Sequence, residues 1–318
     1  MISEKATQYS EAYTTVSLWP SIEHLYQSIK LHSDADIFHV HNEPSFFVTA
    51  VKDMLPDKPV VLDVHDSMLL RRTDEEVDKA QSEQVYRYTI DERNNIQLAD
   101  GLIFVCNPMR DMVVDTYKTT QPHIVLYSMV PRMFYRIDFS QWLGGLVYEG
   151  RVDLPKHLTP EWDFFKYSDY LDLSNKCKDL GIDFHVYSPR GNSEVVEAYK
   201  KVCLLHEPVK FEKLIRVLGS HDWGLVGNLN SYQEWELAMP NKLFEYISAC
   251  VPVVAMNAGE CSKIIEEYGL GITVNSLEEL TERWGEHRDY RKSVVQNRFK
   301  LSMDDNIHKL EELYRNFL

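Results

Sequence analysis

No run of apolar residues in this chain approaches the ~18 that a membrane-spanning helix needs. The opening MISEKATQYSEAYTT likewise lacks the apolar centre of a cleavable secretory signal. Cysteine is sparse: Cys106, Cys177, Cys203, Cys250 and Cys261 are odd in number and scattered, with no CxxC pair, which excludes a disulfide framework or a thiolate zinc site as the organising feature. Reduced thiols of a cytoplasmic protein fit this usage. Positive charge is also short. Lys and Arg number 34 against 49 Asp and Glu, a net charge of −15, and this balance argues against nucleic acid as a partner, because that affinity comes from clustered cations. The same balance disfavours wholesale adsorption to anionic lipid. The basic and aromatic stretch 132–142 (RMFYRIDFSQW) is left as a candidate for peripheral contact with the inner face of a membrane, beside its plainer reading as an interdomain linker.

What is present is alternation. Short β-branched runs at 14–18, 36–41 (DIFHVH), 59–65 (PVVLDVH), 101–106 and 123–127 are separated by helical patterns at 21–31, 45–55, 74–98 and 109–117. A second series follows at GGLVYEG (144–150), FHVYSP (184–189), CLLHEPV (203–209), DWGLVG (222–227), VPVVAM (251–256) and GITV (271–274). Strand, helix, strand in repetition predicts parallel sheets with crossover helices. A chain of 318 residues has room for two such units. The aromatic stretch 130–143 with Pro131 is the seam. Near the end, Ile307, Leu310, Leu313, Tyr314 and Phe317 make one apolar helical stripe that must pack somewhere.

The segment AMPNKLFEYISACVPVVAMNAGE (238–260) carries the most chemical information. Asn241 is expected to cap a helix whose first-turn N–H groups and positive dipole end favour phosphate. Leu243, Phe244 and Ile247 form its apolar face, and Glu245 shares the other face with Asn241 and Lys242, pointing out of the core. A lone glutamate on an amphipathic helix would simply be solvated. Here the segment resembles the donor-binding motif of GT-B glycosyltransferases of the family-4 type (glycosyl transferases group 1), many of which carry a PNKxFEY version. The resemblance implies that Glu245 binds the ribose hydroxyls of a nucleotide, a task that suits a carboxylate able to accept from two vicinal hydroxyls.

Two further segments extend the resemblance. YEGRVDLPK places Gly150 and Arg151 after a strand with Lys156 five residues beyond Arg151, and the family carries Gly-Arg and Lys at that spacing. Both cations are implied to hold the donor diphosphate. KPVVLDVHDS ends a strand on His65, after DIFHVHNE, and a family histidine at that place reaches the donor sugar from across the cleft. His41 and Glu43, at the neighbouring strand end, are candidates for the acceptor. The resemblance also shows departures. The family's first strand and its Gly-rich turn have no clear counterpart, so the first domain is expected to be shortened at its start. The family's upstream glutamate, eight residues before the second, falls on Leu237, with Glu236 or Glu234 as the available substitute.

The resemblance therefore implies an α/β protein of GT-B architecture, two Rossmann-like doubly wound domains facing across a cleft. The expected division is 1–140 on the acceptor side, 141–297 for the nucleotide-sugar donor, and 298–318 as a C-terminal helix crossing back to the first domain. The implied reaction is sugar transfer with retention from a UDP-sugar or GDP-sugar, with no cofactor and no bound metal, to an acceptor saccharide, lipid-linked glycan or other small molecule. A catalytically silent nucleotide-sugar-binding or scaffold subunit of a glycosylation complex is the alternative.

Overall fold

A computed structural model describes residues 1–3, 13, 15–18, 20–41, 45–67, 69, 83–135, 142–157, 168–188 and 192–318, with 83–90 and 212 described for their backbone alone. Three parallel sheets form, all from the predicted runs except for the strand Ile2–Ser3. A short pair joins β1 (Ile2–Ser3) to β2 (Ser17–Leu18). Four strands, β3 (Phe38–His41), β4 (Val60–Val64), β5 (Gly101–Phe104) and β6 (His123–Val125), lie side by side in chain order. Six more, β7 (Leu146–Glu149), β8 (Phe184–Tyr187), β9 (Leu204–His206), β10 (Trp223–Gly227), β11 (Val253–Met256) and β12 (Gly271–Val274), lie in the order β12-β11-β10-β7-β8-β9. That is the doubly wound order, in which the sheet grows outward in both directions from its two central strands.

Alternation along the strands decides what covers each face of the four-stranded sheet. Val40, Leu62, Val64, Leu102 and Phe104 join one buried cluster with Leu25 and Ile29 of the helix Ile22–Leu31, Val48 and Val51 of the helix Phe47–Met54, and Met109 and Val113 of the helix Asn107–Tyr117. The intervening residues Val61 and Ile103 turn to the other face, where Leu126 and Leu313 close a smaller core and Leu310, Tyr314 and Phe317 pack against it. The apolar stripe at the chain end thus lies on the first sheet. Gly101 is needed there, because a Cβ on it would meet the Phe317 ring at 2.8 Å. Arg132 straps this arrangement, its N–H donating to Asp304 at 2.7 Å and its Nε to Ser302 at 3.1 Å.

The six-stranded sheet buries Tyr148, Tyr170, Phe184, Trp223, Leu225 and Met256 in a second core. Its two central strands bury Leu146, Tyr148, Trp223 and Leu225 on this face and Val147 and Val226 on the other. Among the described residues no helix is long and apolar enough to cross a membrane.

Candidate active site

At β7 and β10 the chain leaves the sheet in opposite directions, and the carboxyl ends of these two strands border a crevice. Glu149 is the last residue of β7. Gly150 follows at φ +137°, and a Cβ there would come within 2.9 Å of the Tyr148 hydroxyl and 3.5 Å of Lys242 Cε, so the turn requires glycine. The helix Asn241–Ser248 starts beside it. Tyr246, fully buried, fastens this helix to the crevice by accepting the Glu149 N–H at 3.1 Å. Its ring lies where a Cβ on Gly224 would approach to 2.5 Å.

Asn241 is not the helix cap. Pro240 holds that position, with φ −73° and ψ 148°, and Asn241 is the first helical residue, exposed. Extended backbone at Pro240 is the geometry of an N-cap, and a proline has no N–H to leave unsatisfied. Pro240 offers no side-chain cap, and none is made by another of the described residues, so the first-turn amides remain directed at the crevice.

A cleft of about 510 Å³ opens over this helix, walled by His41, His65, Asp66 and Ser128 from the first sheet and by Glu149, Glu234, Trp235, Asn241, Lys242 and Glu245 from the second. Glu245 faces it as the sequence suggests but is only 9% exposed, with Oε2 buried and without a hydrogen-bond partner. Burial, then repulsion from and a hydrogen bond to Glu149, raise the Glu245 carboxyl well above the ordinary glutamate range, and Lys242 lowers it only in part. The Lys242 ammonium lies 5.4 Å from the Tyr148 ring and 5.3 Å from the Trp235 ring. Burial would lower this ammonium, but the surrounding Tyr148, Glu149 and Glu245 raise it overall. Two neighbouring carboxyl groups, one of them reluctant to ionise, and a cation held over two aromatic faces can bind a ligand that offers both hydroxyls and phosphate.

The opposite wall is built on Asp63. Its Oδ2 lies 2.9 Å from His41 Nδ1, 2.9 Å from His65 Nε2 and 3.8 Å from His39 Nε2. Burial alone would raise the Asp63 carboxyl, yet hydrogen bonding to the three histidines pulls it far below the ordinary range. The bond to Asp63 in turn raises His41, against desolvation. His65 Nδ1 is 3.5 Å from the Ser128 hydroxyl.

The cleft thus gathers His41, His65, Asn241, Lys242 and Glu245 from the sequence candidates, with Gly150 against Lys242. It does not gather Arg151 and Lys156. Arg151 is half-exposed and donates to Asp153 at 2.6 Å, and Lys156 is paired with Glu194. Glu236 turns away too: it accepts from Ser231 at 3.3 Å and its Oε2 lies 2.7 Å from where a Gly259 Cβ would stand, at the start of the helix Gly259–Tyr268. An acidic side chain is stabilised by that helix end, and Glu234 is the glutamate that reaches the cleft. Glu43 lies outside the described residues. Asp63, Glu149 and Trp235 are members that the sequence reading did not single out. The signal for Asp63 was the pair of alternating patterns HVH and DVH on neighbouring strands.

Two parallel sheets, the first in chain order and the second doubly wound, with a cleft between them have the architecture of the GT-B fold of glycosyltransferases. Residues 167–303 match the family model described as glucosyltransferase 3-like, C-terminal domain, and residues 10–130 the model described as glycosyltransferase family 4. These matches and the fold support sugar transfer as the kind of activity. Sucrose-phosphate synthase from Thermosynechococcus elongatus has a similar structure, with TM-score 0.67, 10% identity and coverage of 93% of this chain and 77% of that one. The Anabaena protein HepE in complex with UDP and glucose is similar at TM-score 0.65 and 11% identity, over 98% of this chain and 83% of that one. An alpha-glucosyltransferase in complex with UDP-glucose and DNA containing an abasic site gives 0.63 and 10%, over 98% and 90%. No curated protein is similar to the chain in sequence.

Proposed function

We propose that this chain moves a sugar from a UDP-sugar or GDP-sugar to an acceptor saccharide, lipid-linked glycan or other small molecule, with retention and with no metal on the diphosphate. The observation that carries the reading is the cleft at the strand switch, with Glu245, Lys242 and an uncapped helix start on one wall and His41 and His65 on the other. In this reading Glu245 meets the ribose hydroxyls, and Lys242 with the first-turn amides meets the diphosphate. His65 reaches the sugar from the first sheet. Arg151 and Lys156 join the diphosphate by exchanging Asp153 and Glu194 for it; the exposed Lys156–Glu194 pair is of small worth, whereas leaving Asp153, 7% exposed, costs more. The donor unit is assigned to 141–297, the acceptor side to 1–140, and the return segment to 298–318. The protein is assigned to the cytoplasm.

The second reading, a silent nucleotide-sugar-binding subunit, is favoured by Leu237 at the family's glutamate position together with the outward ion pairs of Arg151 and Lys156. Thermal shift against UDP, GDP, ADP and their sugars tests whether the cleft takes nucleotides. Ligand at ~100-fold its dissociation constant adds roughly 2.7 kcal/mol, and no shift with any of them rejects both readings. Slow hydrolysis of the bound nucleotide sugar then separates enzyme from subunit. In an enzyme, Arg151→Ala or Lys156→Ala lowers turnover by ~10²-fold or more while binding falls less, because charge grows on the leaving diphosphate. Glu245→Gln raises the donor constant with a smaller effect on turnover. His65→Ala weakens transfer more than nucleotide affinity.

A further inference from the structure

Strand β3 carries His39 and His41 two residues apart, and β4 carries Asp63 with His65 just beyond its end. Side chains two apart on a strand share a face, and the parallel register sets His41 beside Asp63. Backbone geometry therefore brings three imidazoles around one carboxylate. The carboxylate is under-used. Asp63 is 8% exposed, Oδ2 receives the histidine contacts, and Oδ1 is buried without a hydrogen-bond partner. His39 is already oriented: its Nδ1 is held by the Tyr314 hydroxyl at 2.6 Å, which leaves Nε2 to face the cluster. One ligand atom from each of His39, His41 and Asp63 lies within 4.8 Å of the others.

We propose that His39, His41 and Asp63 form a binding site for a divalent first-row transition ion of the zinc class, at the mouth of the cleft on the first sheet. Two imidazoles and a carboxylate are a donor set that such ions take, and three protein ligands leave a fourth position open to water. Ligand atoms each about 2.0–2.1 Å from a tetrahedral ion stand roughly 3.4 Å apart. The contacts of 2.9 and 3.8 Å to Asp63 Oδ2 bracket that value, so small side-chain shifts admit the ion. Tyr314 acts as the outer partner that sets the tautomer and direction of His39. The ion lies on the wall opposite Lys242 and the uncapped helix start, so it is not the diphosphate counter-ion. Its binding does not require the cleft to take a nucleotide sugar.

The test uses the full chain, stripped with a chelator and titrated with Zn²⁺ against a chromophoric competitor, with bound metal counted by mass spectrometry and geometry read from Co²⁺ absorption. The expected result is one ion per chain and the intense visible band of a four- or five-coordinate cobalt site. His39→Ala and Asp63→Asn should each weaken binding at least ~10-fold and Tyr314→Phe by less. His206→Ala, in the other histidine cluster, should leave it unchanged. His39 is partly exposed, so its variant keeps the test decisive if Asp63→Asn does not fold. Parent affinity in His39→Ala, loss confined to His206→Ala, or only the pale spectrum of six-coordinate cobalt would each overturn the proposal.

Discussion

Ionising Glu245 costs twice, once for its burial and once for the charge of Glu149 beside it. The two contributions are separable. Glu149→Gln removes the charge and leaves the burial, so Glu245 is expected to titrate lower than in the parent yet still above an ordinary glutamate, as read by carboxyl NMR over a pH series. An unchanged titration would assign the whole shift to burial. Glu245 was legible because it lies in the most distinctive segment of the sequence. Its partner was not, since nothing local to YEGRV says that this strand end meets that helix; the contact depends on Tyr246 accepting the Glu149 N–H from 97 residues away. Arg151 and Lys156 show the converse. Their spacing was readable, but the direction of a long side chain is decided by whichever carboxylate is near, here Asp153 and Glu194.

At the scale of elements, most strands stand within a residue or two of their predicted limits, because parallel strands buried on both faces read as short apolar runs; the runs 14–18 and 203–209 pair only over Ser17–Leu18 and Leu204–His206, and Ile2–Ser3 was not foreseen. Helix ends were less legible. Asn241 has the chemistry of a cap, but Pro240 before it already supplies the extended backbone, which moves Asn241 one place into the helix. The helix Asn241–Ser248 presses on β10 so closely that Gly224→Ala should destabilise the protein by ~1–3 kcal/mol through overpacking against the Tyr246 ring. Urea unfolding would check this, and a parent-like midpoint would mean that the helix can retreat. The return helix His308–Tyr314 contributes Leu313, 2% exposed, to the second face of the first sheet. Leu313→Ala should therefore cost ~2–5 kcal/mol, whereas Leu204→Ala at a half-exposed strand position should cost well under ~2 kcal/mol in the same assay.

For the whole molecule, acid is the expected weakness. His185 Nδ1 lies 2.9 Å from His206 Nε2, and the His185 and His221 rings are 4.4 Å apart. Burial pushes His185 down to about 4 and His221 to about 3, and lowers His206. These imidazoles are neutral in the fold and protonate freely once unfolded, near pH ~6.5. Below that pH the unfolded chain binds more protons, so stability falls with pH through the window from ~6.5 down to the depressed folded values. The slope is at most about 1.4 kcal/mol per pH unit for each group. His41, raised by Asp63, and Glu245, raised by burial and Glu149, act in the opposite sense but are two groups against three. Urea midpoints at pH 7, 6 and 5 should fall in that order; a flat series would show that the cluster opens to water without unfolding.

The order of apolar runs and the motif-bearing segments was enough to determine an α/β chain with two parallel sheets, since strand and crossover helix are specified by local periodicity and burial. Which side chains meet across the cleft was decided only by tertiary structure. Asp63 gathers its histidines because β3 and β4 adopt one particular register, and Glu149 meets Glu245 because β7 ends beneath the helix that carries it. Glu236 yields the cleft to Glu234 because the start of the helix Gly259–Tyr268 lies next to it. Contacts of this kind join residues tens to hundreds of positions apart, and their energies depend on burial and on neighbouring charge, quantities that local sequence does not contain.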